Sequence, residues 1–388
     1  MRDMVCFDDI RPYEDHEINH YVNVLLNDEL FRQVLFFIFN DEQKVREVSA
    51  MLAGVKTKKE LQLKFMYPLI DEWIINRTTS GVTYSGLENI DKSKSYLFIS
   101  NHRDIILDSA ILNYIVVQAG MNTTEVAIGN NLLIYDWINH IVKLNGAFVV
   151  KRNLPARELL NASKTLSAYI RKTITDDNVS VWIAQREGRT KDGFDQTQQA
   201  LLKMLNLSNE SDFVGGFREL KIVPLSISYE REPCGISKVE EIYKRERDGF
   251  VKTPEDDLKS MALGLTRPKG RVHFAFGKPV DAQLDQIAES ENPQESIQQL
   301  AEYIDTCIYE NYKLWPYNYL AADMLANEMR HEEQVDPNTR EKFDDLMDDL
   351  VRTIGEGDAN IQKELFMKMY ANPLLNAERA HESKIISK

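Results

Sequence analysis

The sequence predicts an α/β fold, a sheet covered by helices, with further helical segments before and after it. Two observations carry this. Short β-rich runs alternate with helix-length stretches through the middle of the chain, and three-to-four spacing of apolar residues takes over on either side. The runs are SYLFIS (95–100), EVAIG (125–129), AFVV (147–150), VSVWIA (179–184), KIVPLSISY (221–229) and RVHFAF (271–276), with helix-length segments at 105–119, 156–174 and 196–206. Up to about residue 80 the apolar positions keep helical spacing, through Ile18, Tyr21, Val22 and Leu25 and again through Leu61, Leu63, Phe65, Leu69 and Trp73. After Pro279, Glu- and Gln-rich helical segments follow at 283–311, 318–331, 339–353 and 359–370, punctuated by Pro316, Pro337 and the Gly355/Gly357 pair. The chain therefore divides into a helical N-terminal region (1–82), an α/β domain (83–280) and an acidic helical C-terminal appendage (281–388).

Composition narrows the function classes. Cys6, Cys234 and Cys307 are far apart and odd in number, which suggests neither a disulfide framework nor a zinc site and fits a reducing cytoplasm. Acidic residues interrupt the N-terminus before an apolar run develops, unlike a signal peptide. No stretch reaches the roughly 18 to 20 apolar residues of a spanning helix, so membrane contact is expected to be peripheral. A net charge of −14 argues against nucleic acid. That charge is uneven: residues 281–388 hold 23 acidic and 10 basic side chains, whereas Lys143 to Lys191 holds ten basic against four acidic. A cationic stretch inside an acidic chain reads either as a solvated helix face with scattered charges or as an anion-binding surface. The acidic tail is compatible with a solvated surface, a partner face or a device for orientation at a membrane.

Four segments carry chemistry. In SNHRDIILD, Asn101 and His102 follow a strand and open a helix, and Asp108 lies six residues past the histidine. A carboxylate so placed can fix the imidazole tautomer and stabilise the imidazolium, which makes His102 a candidate general base acting on a substrate hydroxyl. His102-Arg103-Asp104 also resembles the protein kinase catalytic loop, but that loop requires an asparagine where Ser109 stands, and no DFG follows. GAFVVKR (146–152) ends a strand in Lys151 and Arg152, two cations able to grip a phosphate. In QREGRTKDG (185–193), glycines permit close backbone approach while Arg189, Thr190 and Lys191 offer donors to phosphate oxygens. VPLSISYE (223–230) sets Pro224 in a β-rich run, where proline belongs at an edge, a start or a bulge.

These four segments, in this order, resemble the four blocks of the glycerolipid acyltransferase superfamily, over about residues 83–280. The resemblance implies a mixed sheet flanked by helices. It implies transfer of a fatty acyl group from acyl-CoA or acyl carrier protein to a glycerol-phosphate or lysophospholipid hydroxyl, as in phospholipid biosynthesis or remodelling, without metal or other cofactor. By position, His102 would be the general base and Asp108 its orienting partner. Arg152, Glu187, Gly188 and Arg189 would bind the acceptor's phosphate, and Pro224 would shape the acyl-binding region. The implied setting is the inner face of a membrane, approached from the cytoplasm. The ending SISYE, with GFVKTPE after it, is closer to the glycerol-3-phosphate and dihydroxyacetone-phosphate branch.

Two departures from the family pattern bear on the site. Five residues separate His102 from Asp108 where the block usually has four, a spacing similar to that of N-acyltransferases of lyso-ornithine-lipid type. An amine acceptor is therefore an alternative, as is a catalytically silent lipid-binding protein on the same fold. Glu187-Gly188-Arg189 is one residue shorter than the usual Glu-Gly-x-Arg. Asp104, two residues from His102, is expected to point away from it.

Overall fold

The computed structural model describes residues 6–290 and 292–386. Seven strands form one sheet: β1 Thr79–Ser85, β2 Leu97–Ser100, β3 Glu125–Gly129, β4 Ala147–Val150, β5 Val181–Ala184, β6 Ile222–Tyr229 and β7 Gly270–Phe276, in the order β1-β7-β6-β2-β5-β3-β4. All neighbours are parallel except β6 and β7. The sheet is mixed, and the carboxyl ends of β2 to β6 share one edge. The chain leaves β2 toward β3 and β4 on one side, then returns through β5 and crosses to β6 on the other. Strand order thus reverses around β2, the place where open α/β sheets present ligands.

The apolar runs were legible because both faces of the central strands are covered. Leu97, Ile99, Val181 and Ile183 face a core completed by helix Ala156–Thr175 through Leu166 and Ile170. Phe98, Trp182, Val223, Leu225 and Ile227 face the opposite core, closed by helix Leu107–Gln118 through Ile111, Leu112 and Ile115. Helix Pro293–Glu310 packs into the first of these cores through Ile297, Leu300, Ile304 and Ile308. The C-terminal region is therefore no mere appendage, since its first long helix covers one face of the sheet. The later helices Pro316–Ala326, Pro337–Ile354 and Ala359–Ile386 build a separate core around Phe343, Met369 and Tyr370. The last of them runs through Pro373 and well past the predicted end at residue 370.

Strand β1 lies where a helix was expected to finish. Its sequence, TSGVTYS, has little apolar signal because it is an edge strand exposed along most of its length, with an irregular register between Thr79 and Val82. The N-terminal region is otherwise helical, with helices Asp15–Asn27, Glu29–Phe39 and Glu42–Ala53 followed by a helical run from Lys58 to Thr78 containing two wider turns. Asp28 and Asp41 start the second and third helices by accepting from Phe31 N and Gln43 N, satisfying amides the helices cannot. These helices enclose Ile18, Leu25, Phe31, Leu35, Leu52 and Phe65 against Leu144.

Candidate active site

Four segments meet at the carboxyl edge of the sheet. Strand β2 ends at Ser100, and Asn101 pins the next turn to β6 by donating to Ile227 O (2.9 Å) and accepting from Ile227 N (2.8 Å). His102 follows in a non-helical turn. Asp104 Oδ1 accepts from Ile106 N (2.9 Å) and Leu107 N (2.8 Å) and so starts helix Leu107–Gln118, away from the imidazole as expected. That start places Asp108 in the helix's first turn, with its Oδ2 2.8 Å from His102 Nδ1.

A carboxylate only accepts, so Nδ1 carries the proton and Nε2 is left as the basic nitrogen. Among the described residues Nε2 makes no hydrogen bond. The same Oδ2 accepts from Arg103 N (2.6 Å) and Asp104 N (3.0 Å), and Oδ1 accepts from the Tyr229 hydroxyl (3.0 Å). Four donors thus hold a carboxylate with no solvent exposure. Burial first, and then Asp108, push the Tyr229 phenol well above its ordinary value, so it stays a donor. The imidazole itself is braced by the edge of Trp182, 5.6 Å between ring centroids, whose Nε1 donates to Ser100 Oγ.

The second and third segments join beside it. Arg152, just past β4, pairs with Glu187 Oε1 at 3.2 Å, and its backbone N donates to Asn130 Oδ1. Gly188 adopts φ +71°, a conformation disfavoured for any side chain, so the turn between Glu187 and Arg189 is specifically suited to glycine. Arg189 is buried, yet among the described residues its Nη1 has no hydrogen-bond partner, and neither does the buried Nε of neighbouring, half-buried Arg186. Buried guanidinium donors without acceptors are costly unless an anion completes them. Lys191 is held by Glu241, with burial lowering its pKa and Glu241 partly opposing this.

His102, Arg152, Arg186, Glu187, Gly188, Arg189 and Lys191 all line one cavity of about 1750 Å³. Much of the rest of its lining is apolar, with Phe31, Leu35, Phe65, Leu69 and Trp73 from the N-terminal helices and Ile138 and Ile141 from helix Asp136–Leu144. The arrangement offers a proton acceptor, a cationic group and a long apolar space in one enclosure.

Two expectations are corrected. Thr190 does not offer its hydroxyl to the cavity; it donates to buried Asp195 Oδ1 at 2.5 Å, because the chain after Arg189 turns inward, with Thr190 N bonded to His102 O. Pro224 is a buried position of β6 that does not reach the cavity among the described lining residues. Its carbonyl accepts from Gly277 N, just past the end of β7, and its nitrogen faces that same side, where no ladder amide is required. Sequence reasoning missed Arg186, Tyr229, Arg103 and Asp195. The first two stand inside the third and fourth segments, where their neighbours drew the attention; the last two act across 92 residues.

Residues 81–228, which contain all the predicted site positions, match the acyltransferase family model. The chain is similar to dihydroxyacetone phosphate acyltransferase of Bos taurus, 24% identical over 187 residues, covering 47% of this chain and 26% of the relative. It is likewise similar to dihydroxyacetone phosphate acyltransferase of Homo sapiens, 22% identical over 253 residues, covering 60% and 35%. The matches thus span about a quarter to a third of those relatives' own length. Among solved structures, the 1-acyl-sn-glycerophosphate (LPA) acyltransferase of Thermotoga maritima aligns at a TM-score of 0.37 and 14% identity, over 75% of this chain and 91% of that one. The family match thus falls on the segment that holds every candidate site residue, and it identifies residues 81–228 as similar to an acyltransferase domain.

Proposed function

We propose that this protein is an O-acyltransferase of phospholipid biosynthesis or remodelling in which His102 is the general base. The acceptor hydroxyl gives its proton to Nε2 as its oxygen attacks the thioester carbonyl. The carbon–sulfur bond then breaks, and the departing thiolate takes the proton from the imidazolium. Asp108 holds the tautomer and stabilises the transient cation. No covalent acyl-enzyme, metal or other cofactor enters this scheme; the donor is acyl-CoA or acyl carrier protein.

The observation that carries the reading is the imidazole itself: Nδ1 fixed by Asp108, Nε2 unbonded among the described residues, and the ring lining a largely apolar cavity with two arginines that each have a buried nitrogen without a partner there. The cations fit an acceptor phosphate, and the apolar walls fit an acyl chain; holding both in register supplies much of the rate. The similarity to two dihydroxyacetone phosphate acyltransferases favours a small phosphorylated three-carbon acceptor.

No helix among the described residues is long and apolar enough to cross a membrane. Leu30, Phe36 and Phe37 are nevertheless exposed on helix Glu29–Phe39, and Phe37 also lines the cavity. We assign this helix to contact with a membrane surface, at the cytoplasmic face, through which lipid reaches the cavity.

The test is one preparation assayed by mass spectrometry with acyl-CoA or acyl carrier protein against glycerol 3-phosphate, dihydroxyacetone phosphate, lysophosphatidate and amino-acid lyso-lipids, beside His102→Ala. Acylation of a phosphate-bearing alcohol that is lost with His102 is expected. Unchanged acylation in the variant would remove His102 from the chemistry, and products confined to amines would replace the acceptor class.

A further inference from the structure

The helices that follow the sheet reach the proposed site through one carboxylate. Asp195, with no solvent exposure, lies on the loop beyond β5 and gathers three parts of the molecule. Its Oδ1 accepts from Thr190, the residue after Arg189, at 2.5 Å. Its Oδ2 accepts from Arg103 Nη2, on the residue after His102, at 2.6 Å, and from the Tyr312 hydroxyl. Its backbone carbonyl accepts from the Tyr309 hydroxyl.

The surrounding loop is tied to the same C-terminal helices. Asp305 Oδ1 accepts from Thr197 N (2.8 Å) and Thr197 Oγ1 (2.5 Å), and Asn372 Nδ2 donates to Asp192 O (2.7 Å). Gly193 passes so close to helix Ala359–Ile386 that a Cβ there would meet Met369 O at 2.3 Å. Burial opposes the Arg103 cation, but Asp195 and Glu232 more than offset this and its pKa lies above the ordinary guanidinium value.

Two couplings give the clamp a consequence for the site. Arg103 N is itself a donor to Asp108 Oδ2, and Thr190 N is bonded to His102 O, so the base and the cationic loop share a frame. Among the described residues Arg189 Nη1 has no hydrogen-bond partner of its own, so the backbone on which it is mounted must set its aim. We infer that Asp195 is a positioning residue through which helix Pro293–Glu310, by Tyr309, and the segment just after it, by Tyr312, hold Arg189 and its loop in register with His102. This rests on the function proposed above, and it makes the region after residue 281 part of the acceptor site rather than an attachment to it.

The test separates the two ideas by measuring binding without turnover. In the full-length His102→Ala protein, the affinity for glycerol 3-phosphate is measured by calorimetry with Tyr312→Phe, Thr190→Val or Thr190→Ser added. Each of the first two deletes one hydroxyl donor to Asp195 and should weaken binding about tenfold, the worth of one hydrogen bond to a charged group. Thr190→Ser keeps the hydroxyl and should retain the affinity of the parent. Equal affinity in all four proteins, with lower melting temperatures in the Phe and Val variants, makes the clamp purely structural and overturns the inference. So does an absence of glycerol 3-phosphate binding in the parent, or a loss in Thr190→Ser equal to that in Thr190→Val. Should Tyr312→Phe fail to fold, the Thr190 pair decides alone. Failure of the proposed chemistry would be read elsewhere, in the acyl transfer of the protein that retains His102.

Discussion

Replacing Asp108 by asparagine is expected to cost far less activity than replacing it by alanine, for a reason set by its four donors. Oδ2 accepts three N–H groups, from His102 Nδ1, Arg103 N and Asp104 N, while Oδ1 accepts only the Tyr229 hydroxyl. An asparagine amide can satisfy this set in one orientation: carbonyl oxygen toward the three N–H groups, NH2 toward the phenol, whose oxygen can turn and accept. The His102 tautomer is then preserved, and only the negative charge beside the forming imidazolium is lost. The difference between a charge-assisted and a neutral hydrogen bond is about 1–2 kcal/mol, or roughly 5- to 30-fold in kcat. Alanine leaves three N–H donors and a hydroxyl unpaired in a fully buried site, and kcat should fall by about 10² to 10⁴, the range of a lost general base. Steady-state kinetics of Asp108→Asn, Asp108→Ala and His102→Ala under saturating donor, with circular dichroism to verify folding, give the comparison. A folded Asp108→Asn protein as inactive as His102→Ala would show that the N–H ring does not set the tautomer, and full activity would show that the charge is irrelevant.

Three further outcomes are expected. Arg189→Met should raise the KM for a phosphate acceptor by about 10- to 100-fold and change the donor KM little, since it removes a charged donor but no apolar wall; equal rises in both constants would point to collapse of the cavity. Burial pushes the Asp305 carboxyl up to about 7, with the Thr197 donors opposing this. Its folded value lies above the unfolded one, so its stabilising effect is full below about pH 4, declines as pH rises and is lost above about 7, a difference of up to about 4 kcal/mol. Asp305→Asn, which can still accept from Thr197, should therefore melt higher than the parent at pH 8 and alike at pH 4; identical melts at pH 8 would dismiss the penalty. Phe36→Ser with Phe37→Ser should reduce sedimentation with phosphatidylglycerol-containing vesicles by about 10²-fold or more, from about 1.5–3 kcal/mol for each buried phenyl ring, while leaving the melting temperature near that of the parent; undiminished sedimentation would move the membrane face elsewhere.

What could be read in advance follows from how far apart the contacting residues lie in the chain. His102 and Asp108 are separated by one helical start, so their meeting was visible in the spacing. The central strands, β2 and β6 above all, were visible because both their faces are buried. Strand β1 was hidden by its exposure, and the end of the first C-terminal helix gave no sign that Ile304 and Ile308 would close the sheet's core. Tyr229 joins Asp108 across 121 residues and Tyr312 joins Asp195 across 117, contacts that no local pattern encodes. Thr190 was misassigned for a related reason: its polarity was plain, but the direction of its hydroxyl depends on a carboxylate five residues on and on the tyrosines that fix it.

The five-residue gap before Asp108 illustrates how a spacing can vary without moving the chemistry. Residues 101–106 are not helical, and the helix begins only once Asp104 has accepted from Ile106 N and Leu107 N. Any residue added within that turn lengthens the approach while the helix start still delivers a carboxylate to Nδ1. The gap therefore carries no information about whether oxygen or nitrogen attacks. What bears on the acceptor is the surface that receives the rest of the molecule: Arg152, Arg186, Arg189 and Lys191 line the cavity with His102, and only Arg152 and Lys191 are matched there by the carboxylates of Glu187 and Glu241. A lipid whose sole charge is an ammonium would leave the buried nitrogens of Arg186 and Arg189 unsatisfied and add a like charge beside them. A phosphate monoester would complete them, so under the proposed function the selectivity is assigned to the third segment and the proton transfer to the first.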